Sequence, residues 1–288
     1  GTAEFGFSIA KAPHPAQHLA LSFEESPGYQ VTHKLKLPYS LEAADIQFLP
    51  EGGNWILGKK SKVAVRAVFP DGTPLVLQGS IEGEEGTSFT TNAAGLGKLE
   101  FTPQQTDYLA LLQDPISGTT RRIALPKALQ SGLSIHVQNP SDGSVISALI
   151  QGVGVSGKLL LVTHTRGLIN YMAEGTLVNG VWGVRIPKKN LPSGIHTIAL
   201  LDEQGRPLLE RLVFVQNKDE LNLELNSTST PLRPRGKVSL ELNSSFQDST
   251  SLASLSLSVV DLNQVEDQSD LKGTIFSHLL LSSDLKGT

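Results

Sequence analysis

Lys62-Val63-Ala64-Val65-Arg66-Ala67-Val68-Phe69, then Pro70-Asp71-Gly72-Thr73-Pro74, then Leu75-Val76-Leu77-Gln78-Gly79-Ser80-Ile81-Glu82: this stretch decides the fold class. Val63, Val65, Ala67 and Phe69 occupy every second position, so an extended backbone places them on one face. The Pro-Asp-Gly-Thr-Pro between the runs is a turn, because Gly accepts positive φ and Pro fixes φ. Two alternating runs around such a turn predict antiparallel strands. The pattern continues outward. Lys98 to Pro103 and Tyr108 to Leu112 alternate again, with the Asn92 to Gly97 loop before them. Further strands are expected at Leu133 to Gln138, Ser144 to Ile150, Leu159 to Thr163, Gly183 to Ile186, Ile195 to Leu201 and Leu208 to Val215. Asp202 to Pro207 reads as the hairpin link between the last two. After a polar break at Asn217 to Glu220 come Leu221 to Leu225, Lys237 to Leu242 and Leu255 to Asp261. The spacing suits an all-β sandwich architecture. A short helix is expected only at Asp270 to Leu281, with Asp270 as its cap and Leu271, Ile275, His278 and Leu279 at helical spacing.

Composition narrows the function classes. The 288 residues are 39% hydrophobic, 6% aromatic and 18% charged, with 27 Gly and 16 Pro, the profile of a folded, loop-rich chain. Zero cysteine removes disulfides, thiolate metal sites and thiol nucleophiles. A net charge of −4 gives no electrostatic footprint for nucleic acid or an anionic bilayer. No apolar stretch has the roughly 18 residues that would cross a bilayer as a helix. The chain begins Gly-Thr-Ala-Glu without a leader pattern, which reads as a piece of a longer protein. Ser269-Asp270-Leu271-Lys272-Gly273-Thr274 recurs as Ser283-Asp284-Leu285-Lys286-Gly287-Thr288. A weaker echo places Gly and Lys before a strand at Gly58 to Val65 and again at Gly236 to Leu240, as tandem modules would.

A family resemblance enters at Ile46-Gln47-Phe48-Leu49-Pro50-Glu51-Gly52-Gly53-Asn54-Trp55. Together with Val63 to Val68 and the Asp71-Gly72 turn, it resembles the large macroglobulin-like envelope proteins of Bacteroidetes, many of which carry a TonB-receptor plug-like domain further along. Similar phrases follow collinearly at Leu191 to Ile195, Leu200 to Asp202, Leu209 to Val215, Arg233 to Val238, Leu255 to Asp261 and Leu279 to Gly287. The resemblance implies a row of macroglobulin-type (immunoglobulin-like or fibronectin-like) β-sandwiches, an exported location and no enzymatic activity. Protease-trapping macroglobulins use a Cys–Gln thioester. Glu203-Gln204 is only a partial likeness, and without cysteine that chemistry is unavailable here.

Several motifs invite a sharper reading. Gly152-Val153-Gly154-Val155-Ser156-Gly157-Lys158 fits G-x-G-x-x-G and nearly a P-loop. A dinucleotide site needs a helix next, however, and Leu159 to Arg166 is strand-like and stops at Gly167. A glycine-rich β-turn is expected. His14, His18, His33, His136, His164, His196 and His278 show no metal-binding spacing, and Pro13 and Pro15 break any helix that would align His14 with His18. Ser141-Asp142-Gly143 and Glu82 to Gly86 are too sparse or too extended for calcium and read as turns. No G-x-S-x-G elbow occurs. Trp55 and Trp182 could stack on sugar if exposed, but core packing is the default. Asn226-Ser227-Thr228 and Asn243-Ser244-Ser245 fit N-x-S/T, read as chance in a bacterial chain. Lys59-Lys60, Arg121-Arg122 and Lys188-Lys189 are too few for a phosphate-tracking groove.

The expectation is therefore an all-β chain of tandem macroglobulin-like sandwiches at 41–129, 130–218 and 219–288. The last is truncated, and 1–40 supplies strands of a preceding module or an extension. Spans of that length can bury a core without disulfides. No catalytic, cofactor or metal residue is nominated, and no cofactor is expected. The function expected is a non-catalytic arm of a Gram-negative envelope protein, in the periplasm or at the outer-membrane surface. It would offer loops or strand edges to another envelope protein or to other domains of its own chain, with a link to TonB-dependent transport. The alternative is a carbohydrate- or peptide-binding module for nutrient uptake, which needs Trp55 or Trp182 on an exposed concave patch.

Overall fold

The computed structural model describes residues 18–26, 28–36, 41–114, 118–217, 219–227, 235–247, 249–261 and 274–285. They are almost wholly β, in antiparallel sheets, and divide into two compact units. The first draws its described residues from 1–136, 149–157 and 176–182, and the second from 137–148, 158–175 and 183–288.

In the first unit, β1 (His18–Ser26) and β2 (Tyr29–Lys36) form a hairpin. The main body has two sheets. One has the order β3 (Asp45–Pro50), β4 (Ser61–Val68), β7 (Leu96–Phe101). The other has the order β6 (Phe89–Thr90), β5 (Gln78–Ile81), β8 (Leu109–Gln113), β9 (Thr120–Ala124). Val63, Val65 and Ala67 on β4 are fully buried, and they join Leu77, just before β5, and Ala110 and Leu112 of β8 in one core. The alternation read from the sequence is thus the inward face of a sandwich. Phe48 meets Phe89 edge-on at 5.7 Å, and Trp55, Phe101 and Tyr108 form an aromatic cluster. The Tyr108 hydroxyl accepts the backbone N–H groups of Gln104 (2.8 Å) and Gln105 (3.2 Å), which pins the β7–β8 connection. Arg121 donates to the Leu41 and Ala44 carbonyls and so closes the 3-10 turn Leu41–Ala43 onto β9.

The expected return strand over 75–82 is split. Leu75 N–H still bonds to Ala67 O of the first sheet, whereas the pairing of Gln78 to Ile81 is with β8 and β6 of the second. The chain changes sheets in between. There the buried Thr91 hydroxyl donates to Leu75 O (2.7 Å) and accepts from Leu77 N–H (2.9 Å), taking the place of the missing ladder.

A second pair of sheets follows, with β10 (Gly132–Gln138), β11 (Val145–Val153) and β14 (Val181–Pro187) in one of them. The other has the order β13 (Leu168–Thr176), β12 (Lys158–Thr165), β15 (Gly194–Leu201), β16 (Pro207–Val215). Register puts Leu161, Ile198 and Leu200 on the same face as Leu209, Val213 and Val215, all buried. The Asp202 to Pro207 link is a hairpin turn whose Asp202 carboxylate accepts the Gln204 and Arg206 amides.

Past these sheets, β17 (Asn222–Ser227), β18 (Leu240–Phe246) and β19 (Ser249–Thr250) make a three-stranded sheet. The strand expected at Leu255 to Asp261 does not form. Residues 251–261 carry no regular secondary structure, and Leu257 and Val259 are 62% and 85% exposed. Alternation supplies a face but not a partner, and an unpaired strand is not stable alone. The C-terminal helix is shorter than expected. α1 spans Ile275–Ser277 and continues as a π-helical turn over His278–Ser282. Its cap is Thr274, in a reciprocal box with Ser277. The expected cap Asp270 and Leu271 lie outside the described residues.

Candidate interaction surfaces

The glycine motif sits in a β-turn. β11 runs through Gly152 and Val153, residues 154–157 form the loop, and β12 starts at Lys158 where a nucleotide fold would start a helix. The Lys158 N–H, the kind of donor a phosphate would use, is taken by Glu203 Oε1 at 2.7 Å, and Lys158 Nζ lies 3.7 Å from Glu174. Leu159 is buried in the core. Gly152 is fixed by packing, since a Cβ there would stand 2.5 Å from Leu177 Cδ1.

The histidines are dispersed, and His14 lies outside the described residues. His33 stacks on Phe23 in the hairpin. His136 Nδ1 lies 2.9 Å from Glu51 Oε2. His196 is fully buried on the core face of β15. Its Nε2 donates to Pro192 O (2.8 Å) and its Nδ1 accepts from the Thr165 hydroxyl, so a neutral ring satisfies both partners. Burial pushes its pKa below the ordinary 6.5, and the nearby His164 adds to the shift against the Pro192 bond. Among the described residues no three His, Asp or Glu side chains converge as metal ligands would. Glu82 pairs with Arg122 at 2.9 Å. Trp55, 1% exposed, lies in the core and cannot stack on a ligand, and Trp182 is half-buried.

What the structure offers outward is apolar β surface. In the hairpin, register aligns Leu19, Leu21 and Phe23 with Leu35, His33 and Val31, so one face is oily. Phe23 is 49% exposed. In the last sheet, Leu223 and Leu225 share a face with Leu240 and Leu242, and all four are exposed. Asn222, Glu224, Asn226, Glu241 and Asn243 take the opposite face. Among the described residues this sheet has no second layer, which differs from the core expected for 219–288. Sequence alternation marked Leu221 to Leu225 and Lys237 to Leu242 as strands, but not that their leucines would be left exposed, and it gave no reading of the hairpin face.

A third surface is already occupied. Thr165, Arg166, Leu168, Pro192 and Ser193 line a seat for α1. Arg166, held at φ 49°, makes a two-pronged contact with Asp284 (3.0 Å) and donates to Leu279 O (2.8 Å). The paired carboxylate raises the Arg166 pKa above its usual value. Asp284 belongs to the second copy of the repeated hexapeptide.

Among the described residues no helix is long and apolar enough to cross a membrane. No protein-family model matches the chain, and comparison with curated proteins by sequence finds no match. Among solved structures, an alpha-2-macroglobulin of Salmonella aligns over 79% of this chain and 20% of its own, with 12% identity and a TM-score of 0.26. Beta-glucuronidase 3 of Bacteroides uniformis aligns over 62% of this chain and 25% of its own, with 9% identity and a TM-score of 0.22. A marsupial T cell receptor aligns over 64% and 85%, with 12% identity and a TM-score of 0.22. The chain thus spans a fifth of the macroglobulin and a quarter of the glucuronidase, and scores this low carry no correspondence between residues.

Proposed function

We propose that this chain is a non-catalytic interaction arm built of tandem macroglobulin-like modules, divided at about 41–129, 130–218 and 219–288. On this reading it belongs to an exported envelope protein of the macroglobulin-like type that its sequence phrases resemble. Its site is a periplasmic or outer-membrane-surface assembly linked to TonB-dependent transport. The carrying observation is the exposed apolar face that Leu223, Leu225, Leu240 and Leu242 share in the last sheet. A soluble chain that displays such a face gains by covering it with another protein or another module of its own parent. The buried Trp55 and the carboxylate-occupied glycine loop both favour this reading over sugar or nucleotide binding.

The test is photo-crosslinking in the cells that make the protein, with a benzophenone side chain at position 225 on the oily face or 226 on the polar face. Adducts to one discrete partner or neighbouring module from 225, and none from 226, are expected. Equal yields from both positions, or none from 225, would refute the proposal.

A further inference from the structure

A cleft of about 590 Å3 opens in the second unit, where Asn139 and Ser141, the turn that begins at Lys188, and the end of β16 come together. Phe214 and Asn217 complete its walls, and Glu220 stands exposed on the rim with Gln216 donating to it at 3.0 Å. Lys188 sets this cleft apart. It is only 8% exposed, whereas a lysine ordinarily carries its ammonium to water. An ammonium has three N–H donors. One goes to Pro140 O, and among the described residues no carboxylate lies in ion-pair range of the group. A neutral carbonyl replaces only part of the lost hydration, so the site favours an arriving anion.

The walls are fixed before anything enters. Asn139 Nδ2 donates to Phe214 O at 2.7 Å, Lys188 N–H to Ser144 O at 2.9 Å, and Asn217 N–H to Ser193 Oγ at 2.8 Å. Such bonds hold Asn139, Lys188 and Asn217 in place and lower the ordering entropy of binding. Among the described residues Asn139 Oδ1 is buried without a partner, an acceptor in this wall that suits a peptide N–H.

We propose that this cleft binds a peptide carboxylate, with its oxygens on Lys188 Nζ and the neighbouring side chain against Phe214. A single buried cation suits a monoanion. The Glu220 carboxylate on the rim opposes a dianion such as phosphate. The volume and the Phe214 wall suit a peptide better than a bare small acid. The carboxylate can come from a chain terminus or from an Asp or Glu side chain. This inference stands apart from the oily-face reading, because it uses different residues and a small soluble probe.

The experiment titrates the isotope-labelled full chain with three peptides, followed by amide chemical shifts. They are acetyl-Ala-Ala-Phe with a free carboxylate, acetyl-Ala-Glu-Phe-amide, and the neutral acetyl-Ala-Gln-Phe-amide; inorganic phosphate is a fourth probe. Saturable shifts at residues 139–141, 188 and 214–217 are expected with one or both of the first two, and the responder identifies the source. Lys188→Met should weaken binding about tenfold or more, and Lys188→Arg should restore most of it. Glu220→Gln, an exposed change that leaves folding intact, should tighten binding by about two- to fivefold. Equal binding of the neutral peptide, tighter binding of phosphate, absence of saturation, or an unchanged or weaker affinity in Glu220→Gln would each overturn the proposal.

Discussion

Thr91→Val isolates the hydroxyl that stitches the first unit together where its chain changes sheets. Valine fills the same volume, so no cavity forms, and it is the more apolar side chain. What is lost is one donor and one acceptor contact, those to Leu75 O at 2.7 Å and from Leu77 N–H at 2.9 Å. Leu75 and Leu77 are 7% and 0% exposed, so neither backbone group has water as a substitute. Leaving a buried polar group unpaired costs about 1–3 kcal/mol, which puts the pair at about 2–6 kcal/mol. Thr91→Ser keeps the oxygen and drops a methyl, about 1 kcal/mol. At about 4–8 °C per kcal/mol for a module of this size, Val should lower the unfolding midpoint by more than about 10 °C and Ser by roughly half that or less. Trp55 reports the transition from inside the same core once Trp182 is replaced by Phe. If the Val variant proves as stable as the Ser variant, the hydroxyl stitch is not what holds the crossover.

Gly79→Ala should destabilise the same unit by about 1–3 kcal/mol in urea melts, because the new Cβ would stand 2.5 Å from Phe89 Cζ and 2.9 Å from Leu112 Cδ2. His196 predicts a pH dependence. Its folded pKa lies below the unfolded value of 6.5, so its contribution is intact above that value and is lost as pH falls from there through the folded pKa, where the unfolded chain binds the extra proton. His196→Gln should flatten the stability slope of the second unit below pH 6.5, as read by thermal melts at closely spaced pH. Asp284→Asn weakens the Arg166 grip on α1. Hydrogen exchange at residues 279–283 should quicken while the melting of β12 and β15 stays unchanged.

The strands that were legible in advance are those with one wet and one dry face. β4 and β11 alternate because one side of each meets a core, and periodicity reads that directly. β15 was also placed, although burial on both faces erased its alternation. The split of 75–82 was not legible, because Leu75 and Leu77 carry the same pattern whichever sheet they join, and only the Thr91 hydroxyl marks the change. The strand expected at 255–261 failed for the opposite reason: Leu255, Leu257 and Val259 alternate well but have no ladder to join among the described residues. The Lys188 cleft gave no sign in the sequence. A Lys-Lys doublet in a loop looks like solvated charge, and only the Pro140 carbonyl and the end of β16 turn the first lysine inward.

The grip of Arg166 on Asp284 and Leu279 O alters how tension would travel through the second unit. A pull applied at Leu285 meets the β12–β13 turn first, through a guanidinium clamp, and the strand pairs of 222–250 stay slack until that clamp opens. Two elements that follow one another along the chain are thereby loaded one after the other, with the clamp as the earlier fuse.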